Sequence, residues 1–176
     1  LCLAVALACG DKHPRLADAA AASIELLHCA SLVHDDLPCF DNAATRRGVP
    51  SVHAAWGERI AVLAGDALII LALQTVAVAA VSTPQMLVPL MVSISRRVGM
   101  PLGIVAGQAW ECEPNVQLAA YQRLKTGSLF AACTEAGALA AGADPAAWRA
   151  FGLSLGEAYQ VADDIRDVVA TAEAMG

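Results

Sequence analysis

Three aspartates, Asp35, Asp36 and Asp41, stand beside Arg46 and Arg47 in the stretch from His28 to Gly48. Carboxylates this close repel one another unless a cation lies between them. Their hard oxygen atoms suit Mg2+. The arginines suit a phosphate, which a guanidinium grips through paired hydrogen bonds. The stretch reads as a metal-bridged phosphate site. Acids at the C-terminal end of a helix also oppose its dipole, and that cost points to a role in chemistry.

A second acidic cluster, Asp163-Asp164-Ile-Arg-Asp167, follows far along the chain. At about 100° per helical residue, Gly156, Gln160, Asp163 and Asp167 share one narrow face, with Asp164 beside it. Two such clusters opposed across a cavity could hold several metal ions. Between them in sequence, Lys125 and Thr126 offer a point charge and a hydroxyl to a phosphate. The triplet Lys125-Thr126-Gly127 also occurs in serine β-lactamases, but no serine here precedes a lysine by three residues. His28, Ser31 and Asp35 recur at steps of three and four, which puts them on one helical face. Asp66 is expected as a buried polar anchor and His34 as a structural residue.

The elements that must position these groups are helices. The chain has 176 residues, enough for one domain with a sizeable core, and 57% of them are hydrophobic. Its mean hydropathy is +0.55. Alanine, the best helix former, supplies much of this. Pro14 opens a long helix that runs to about Asp36 and is ended or bent by Pro38. Asn42 to Pro50 is expected as loop. Further helices run from Glu58 towards Val81, from Pro84 with Thr83 as cap, from Pro101 to Glu113, and from Gln117 to about Ala141. Asp144-Pro145 opens the last helix, which carries the second acidic cluster. The count is about seven helices and no strands, an all-α fold.

A net charge of -6 and an aromatic content of 5% argue against a nucleic-acid partner. Six cysteines form no CxxC pair and read as free thiols in a reducing cytoplasm. Ala67 to Ser95 carries no charged residue. Ser82-Thr83-Pro84-Gln85 breaks it into two helices shorter than a membrane span, so a central helix buried all round is expected instead. No basic segment precedes the apolar Leu1 to Cys9, so no secretory signal is read.

Taken together, these motifs resemble those of the trans-prenyltransferases, the isoprenyl diphosphate synthases, and most of all the bacterial geranylgeranyl diphosphate synthase type. The resemblance rests on Asp35-Asp36-Leu-Pro-Cys-Phe-Asp41, Arg46-Arg47-Gly48, Gly65-Asp66, Lys125-Thr126-Gly127 and Asp163-Asp164-Ile-Arg-Asp167 after Tyr159-Gln160. It implies a single-domain bundle of antiparallel helices around a large central cavity. Residues 1–176 would form that domain without its N-terminal and C-terminal segments. The implied reaction is head-to-tail condensation of an allylic diphosphate (dimethylallyl, geranyl or farnesyl) with isopentenyl diphosphate. Asp35 and Asp41 would hold two of three Mg2+ ions with Asp36 in support. Asp163 would hold the third, assisted by Asp164 and Asp167. Arg46, Lys125, Thr126 and Gln160 would contact the allylic diphosphate, and His28 and Arg47 the isopentenyl diphosphate. Ala30 and Ser31 would set the length of the tail, and the small Ala30 leaves room for a C20 product. A homodimer packed through the Ala67 to Ser95 region is implied as well. The alternatives are a farnesyl diphosphate (C15) synthase, a non-catalytic regulatory subunit, a class I terpene cyclase and a helical membrane protein. Asp163, Asp164 and Asp167 speak against the cyclase, whose second motif carries an Asn/Ser/Glu pattern.

Overall fold

The computed structural model describes residues 1–115, 117 and 121–169, the side chains of Asp167 and Val168 excepted. The described residues form eight α-helices: α1 (Cys2–Ala8), α2 (Pro14–Asp35), α3 (Val52–Trp56), α4 (Glu58–Ala79), α5 (Pro84–Val98), α6 (Ile104–Glu111), α7 (Ser128–Ala140) and α8 (Ala146–Val169). The fold is all-α, as expected. The start of the helix placed at Gln117 falls partly outside the described residues.

α2 begins with Pro14 at its first position, where the missing N–H costs no helical bond. Its Leu16, Ala20, Ile24 and Leu27 recur at helical spacing and enter one core with Ala72 and Val76 of α4 and Ala132, Ala136 and Ala140 of α7. α7 is the central helix and packs against α1, α2, α5 and α8. Its short alanine side chains let these neighbours approach closely. Asp144 caps α8 as expected, its Oδ1 accepting the Ala146 N–H at 3.0 Å.

Four expectations change. The segment 42–50 is not all loop: Thr45–Arg46 (β1) pairs antiparallel with Val49–Pro50 (β2). Arg47 and Gly48 close this hairpin at φ 52 and 76, the two-residue turn with both residues left-handed. Thr83 stands before α5, but its buried hydroxyl makes no cap bond. Asp66 is exposed, not buried, with Oδ1 3.9 Å from His34 Nε2. Finally, α4 is not buried all round. It turns Ala61, Gly65, Ala72 and Val76 inwards but leaves Leu63, Ile70, Leu71 and Val78 exposed, because within the chain it packs chiefly on α2. By length and composition alone, α2 and the segment Glu58–Ser82 are each apolar enough to cross a membrane.

One buried charge was not anticipated. Glu135 on α7 is 3% exposed at its side chain. It accepts bonds from Arg97 Nε at 2.8 Å and Nη2 at 3.2 Å, from Ser93 Oγ at 3.3 Å, and from Arg149 Nε. The group ties α5, α7 and α8 together. Burial would raise the Glu135 pKa, but the two guanidiniums outweigh it and hold the carboxyl below its ordinary value.

Candidate active site

α2, α6, α8 and the segment leading into α7 surround a cavity of about 770 Å³. His28, Ser31 and Asp35 line it from α2, as their spacing predicted, and Asp163 lines it from α8. One aspartate of each acidic cluster therefore faces the same space. Ala30 is buried and lines the same cavity beside Ser31.

Within the first cluster the acids divide. Oxygen atoms of Asp35, Asp41 and Glu111 lie within 4.8 Å of one another. Asp36 departs from the expected grouping. It is 3% exposed and accepts a bond from Arg46 Nε at 2.9 Å and another from Arg46 Nη2. Asp36 follows Asp35 at about 100° around the helix, and its carboxylate is taken up by Arg46 and does not line the cavity. Arg46, held by Asp36, does line it. The hydrogen bond it donates to Asp36 raises the Arg46 pKa, against the opposing effect of burial. Arg47 does not line the cavity. It is exposed and is used by the hairpin turn.

Lys125 and Thr126 lie on a five-residue π-helical segment, Arg123–Gly127, where a regular helix was expected. Wider π turns of this kind recur at functional sites. Both side chains reach the cavity, as do Leu129, Phe130 and Cys133 further along α7. Lys125 Nζ lies 2.6 Å from Glu111 Oε1 and 3.8 Å from Asp35 Oδ1. Burial works against its charge, yet Glu111, Tyr121 and Asp35 together raise its pKa. Glu111 would be raised by burial, but bonds from Lys125 and Tyr121 hold it low. Burial and the hydrogen bond to Glu111 push the Tyr121 hydroxyl up to about 12.

The second cluster is ordered by amides. Thr126 Oγ1 donates to Gln160 Oε1 at 2.7 Å, Gln160 Nε2 donates to Asp164 Oδ1 at 2.8 Å, and Gln122 Nε2 donates to Asp164 Oδ2 at 3.1 Å. Asp164 is thus turned towards this chain, while Asp163 lines the cavity and pairs with Arg166 at 2.8 Å. The Asp167 side chain lies outside those described. Gly156, expected on the functional face, serves packing instead: a Cβ there would come within 2.7 Å of Gly127 Cα.

The residues present fit a hard divalent cation. Asp35 Oδ1 is buried and accepts no hydrogen bond. Burial pushes the Asp35 pKa up, Lys125 pulls it down, and Asp41 and Glu111 push it up again, with a net rise. A cation among these oxygens would relieve both the burial and the repulsion. The His28 Nδ1 is likewise buried without a partner in the cavity wall.

Sequence reasoning missed Gln108, Glu111 and Tyr121. Gln108 and Glu111 are the two strongly polar residues of α6 and stand three apart, so they share a face of an otherwise apolar helix. That pattern was the available signal. Gly107, just before Gln108, admits the π segment: a Cβ there would lie 2.7 Å from Lys125 N and 2.8 Å from its Cα. Gly107→Ala is expected to displace Lys125 and to lower the rate of the reaction proposed below by about 10²-fold, as misplacement by about an ångström does. Steady-state kinetics beside circular dichroism would check it.

An all-helical bundle with an apolar cavity fringed by carboxylates from two distant helices is the architecture of the isoprenoid synthases. The sequence pattern described as polyprenyl synthetase matches residues 1–176, and the chain belongs to that family. It is 53% identical over 176 residues to a geranylgeranyl diphosphate synthase of Cereibacter sphaeroides, covering 100% of this chain and 61% of that protein. It is 51% identical to one of Rhodobacter capsulatus, covering 99% of this chain and 60% of that protein. The chain thus spans about three-fifths of these curated relatives. Among solved structures, an FPP/GFPP synthase of Zymomonas mobilis superposes with a TM-score of 0.87 at 32% identity, over 97% of this chain and 65% of that one. A Helicobacter pylori geranyltransferase in complex with magnesium and isoprenyl diphosphate gives 0.79 at 39% identity, over 90% and 55%.

Proposed function

We propose that this chain carries the catalytic cavity of a trans-prenyltransferase that joins an allylic diphosphate to isopentenyl diphosphate and makes geranylgeranyl diphosphate. The observation that carries this reading is that Asp35 and Asp163, from opposite ends of the sequence, line one apolar cavity. Asp35, Asp41 and Glu111 on one side and Asp163 on the other would hold Mg2+, three ions in all as in the resemblance. Bound there, Mg2+ supplies Lewis-acid neutralisation of the departing diphosphate.

The chain's own residues do the rest. Arg46, Lys125 and Thr126 stand at the acidic end of the cavity, where they would bind and orient the allylic diphosphate. Gln160 keeps the Thr126 hydroxyl in place. His28, with its unpartnered Nδ1, would meet the diphosphate of the second substrate. Arg47 would join it only as an exposed contact. Ile24, Leu27, Leu129 and Phe130 exclude water from the carbocation that forms when the allylic C–O bond breaks. The isopentenyl double bond then attacks that carbon, and a proton leaves. Ala30 and Ser31 leave the wall open below Asp35, which favours a C20 tail over C15.

A homodimer would cover the exposed Leu63, Ile70, Leu71 and Val78 of α4. On this reading α2 and α4 are bundle helices of a cytoplasmic enzyme, since α2 turns His28, Ser31 and Asp35 to the cavity.

The test is incubation with farnesyl and isopentenyl diphosphates. The expected result is Mg2+-dependent pyrophosphate release with a C20 product, lost in Asp163→Asn. A product ending at C15 would overturn the length assignment. Metal binding with no turnover would favour the regulatory subunit.

A further inference from the structure

The chain has only two lysines, Lys12 and Lys125. Lys12 is exposed in the turn before α2. Lys125 is placed quite differently. Its ammonium touches Glu111 at 2.6 Å, approaches Asp35 at 3.8 Å, and stands 5.7 Å from the centre of the Tyr121 ring. Tyr121 in turn donates its hydroxyl to Glu111. These are the carboxylates, with Asp41, whose oxygens converge within 4.8 Å. The group that should grip a diphosphate therefore sits among the groups that should grip the metal.

Two cations cannot share that space without strong repulsion. A lysine is suited to giving way. Its charge is a compact point on a flexible four-carbon stem, unlike the fixed fork of an arginine. Neighbouring cations show the contrast: Arg46 is tied to the buried Asp36 through two nitrogens.

We propose that Lys125 is the resident counter-ion of the Asp35–Asp41–Glu111 cluster and is exchanged out of it when a divalent cation enters, which frees its ammonium for the diphosphate. The inference rests on the reading above and adds an order to it. Metal entry and diphosphate binding assist each other, because each supplies the partner the other removes. Without a diphosphate, Lys125 competes with the metal.

Two measurements test this without turnover. The first is Mn2+ binding, read from the free-ion electron paramagnetic resonance signal, with and without pyrophosphate. Without pyrophosphate, Lys125→Met is expected to bind Mn2+ about tenfold more tightly than the unaltered chain, an ordinary size for one charge pair in a half-exposed site. With pyrophosphate, the advantage should shrink. Equal or weaker binding by Lys125→Met overturns the proposal. The second uses the unaltered chain: limiting acetic anhydride, with Lys12 as internal reference, followed by mass spectrometry. Mg2+ is expected to raise the acetylation of Lys125 relative to Lys12 several-fold, and an unchanged or lower ratio overturns the proposal. Should both proteins bind Mn2+ with pyrophosphate while Lys125→Met gains nothing without it, only the exchange falls. Should neither bind under any condition, the prenyltransferase reading falls with it.

Discussion

Asp35→Asn is expected to lower the rate of pyrophosphate release by at least about 10³-fold, the scale on which lost electrostatic stabilisation of a transition state is felt. Asparagine has nearly the same shape, so the helix and the cavity should survive. What disappears is the charge on a buried oxygen that no hydrogen bond satisfies. The loss should fall on kcat and persist at high Mg2+, because added metal cannot replace a missing anionic ligand. Asp36→Asn makes the informative comparison. Asp36 is bonded to Arg46 and faces away from the converging oxygens, so it acts through the guanidinium it holds. A smaller loss is expected there, expressed partly as a higher KM for the allylic substrate. Rates measured across a Mg2+ series would decide. Asp35→Asn within tenfold of the unaltered rate would remove the metal-site reading.

Glu135→Ala is expected to destabilise the fold by about 3 kcal/mol, the low end for breaking a buried ion pair, since Arg149 is half exposed. The variant leaves Arg97, only 14% exposed, without its carboxylate. The pH dependence has a definite sign. The Glu135 pKa is lowered on folding. Its stabilisation is therefore complete above the ordinary carboxylate value, about 4.3, and is lost as pH falls through the lowered folded value. Denaturant titrations at neutral and at acid pH should show the gap between variant and unaltered chain wide at pH 7 and narrowing well below pH 4.

The helical frame was legible because its signals are local. Pro14, Pro84 and Asp144-Pro145 mark helix starts. The His28, Ser31 and Asp35 face was readable for the same reason. What escaped the sequence depends on tertiary packing. Nothing local distinguishes Asp35 from Asp36, since their division is made by where the first strand of the hairpin places Arg46. The π segment at Arg123–Gly127 rests on the close approach of Gly107 from another helix. The exposed side of α4 was misjudged because an apolar helix looks alike whether its partner lies in the same chain or outside it. Glu135 was passed over as one acid in an alanine-rich helix, since its two arginines come from α5 and α8.

α7 turns Leu129, Phe130 and Cys133 to the cavity and Glu135 to the arginines on the far side. Between these sides lie alanines that leave no slack. The shape of the cavity wall and resistance to unfolding are thus set on opposite sides of a single rod. Evolution, or an engineer, can retune one without disturbing the other, and paired changes across the rod should combine additively to within about half a kcal/mol.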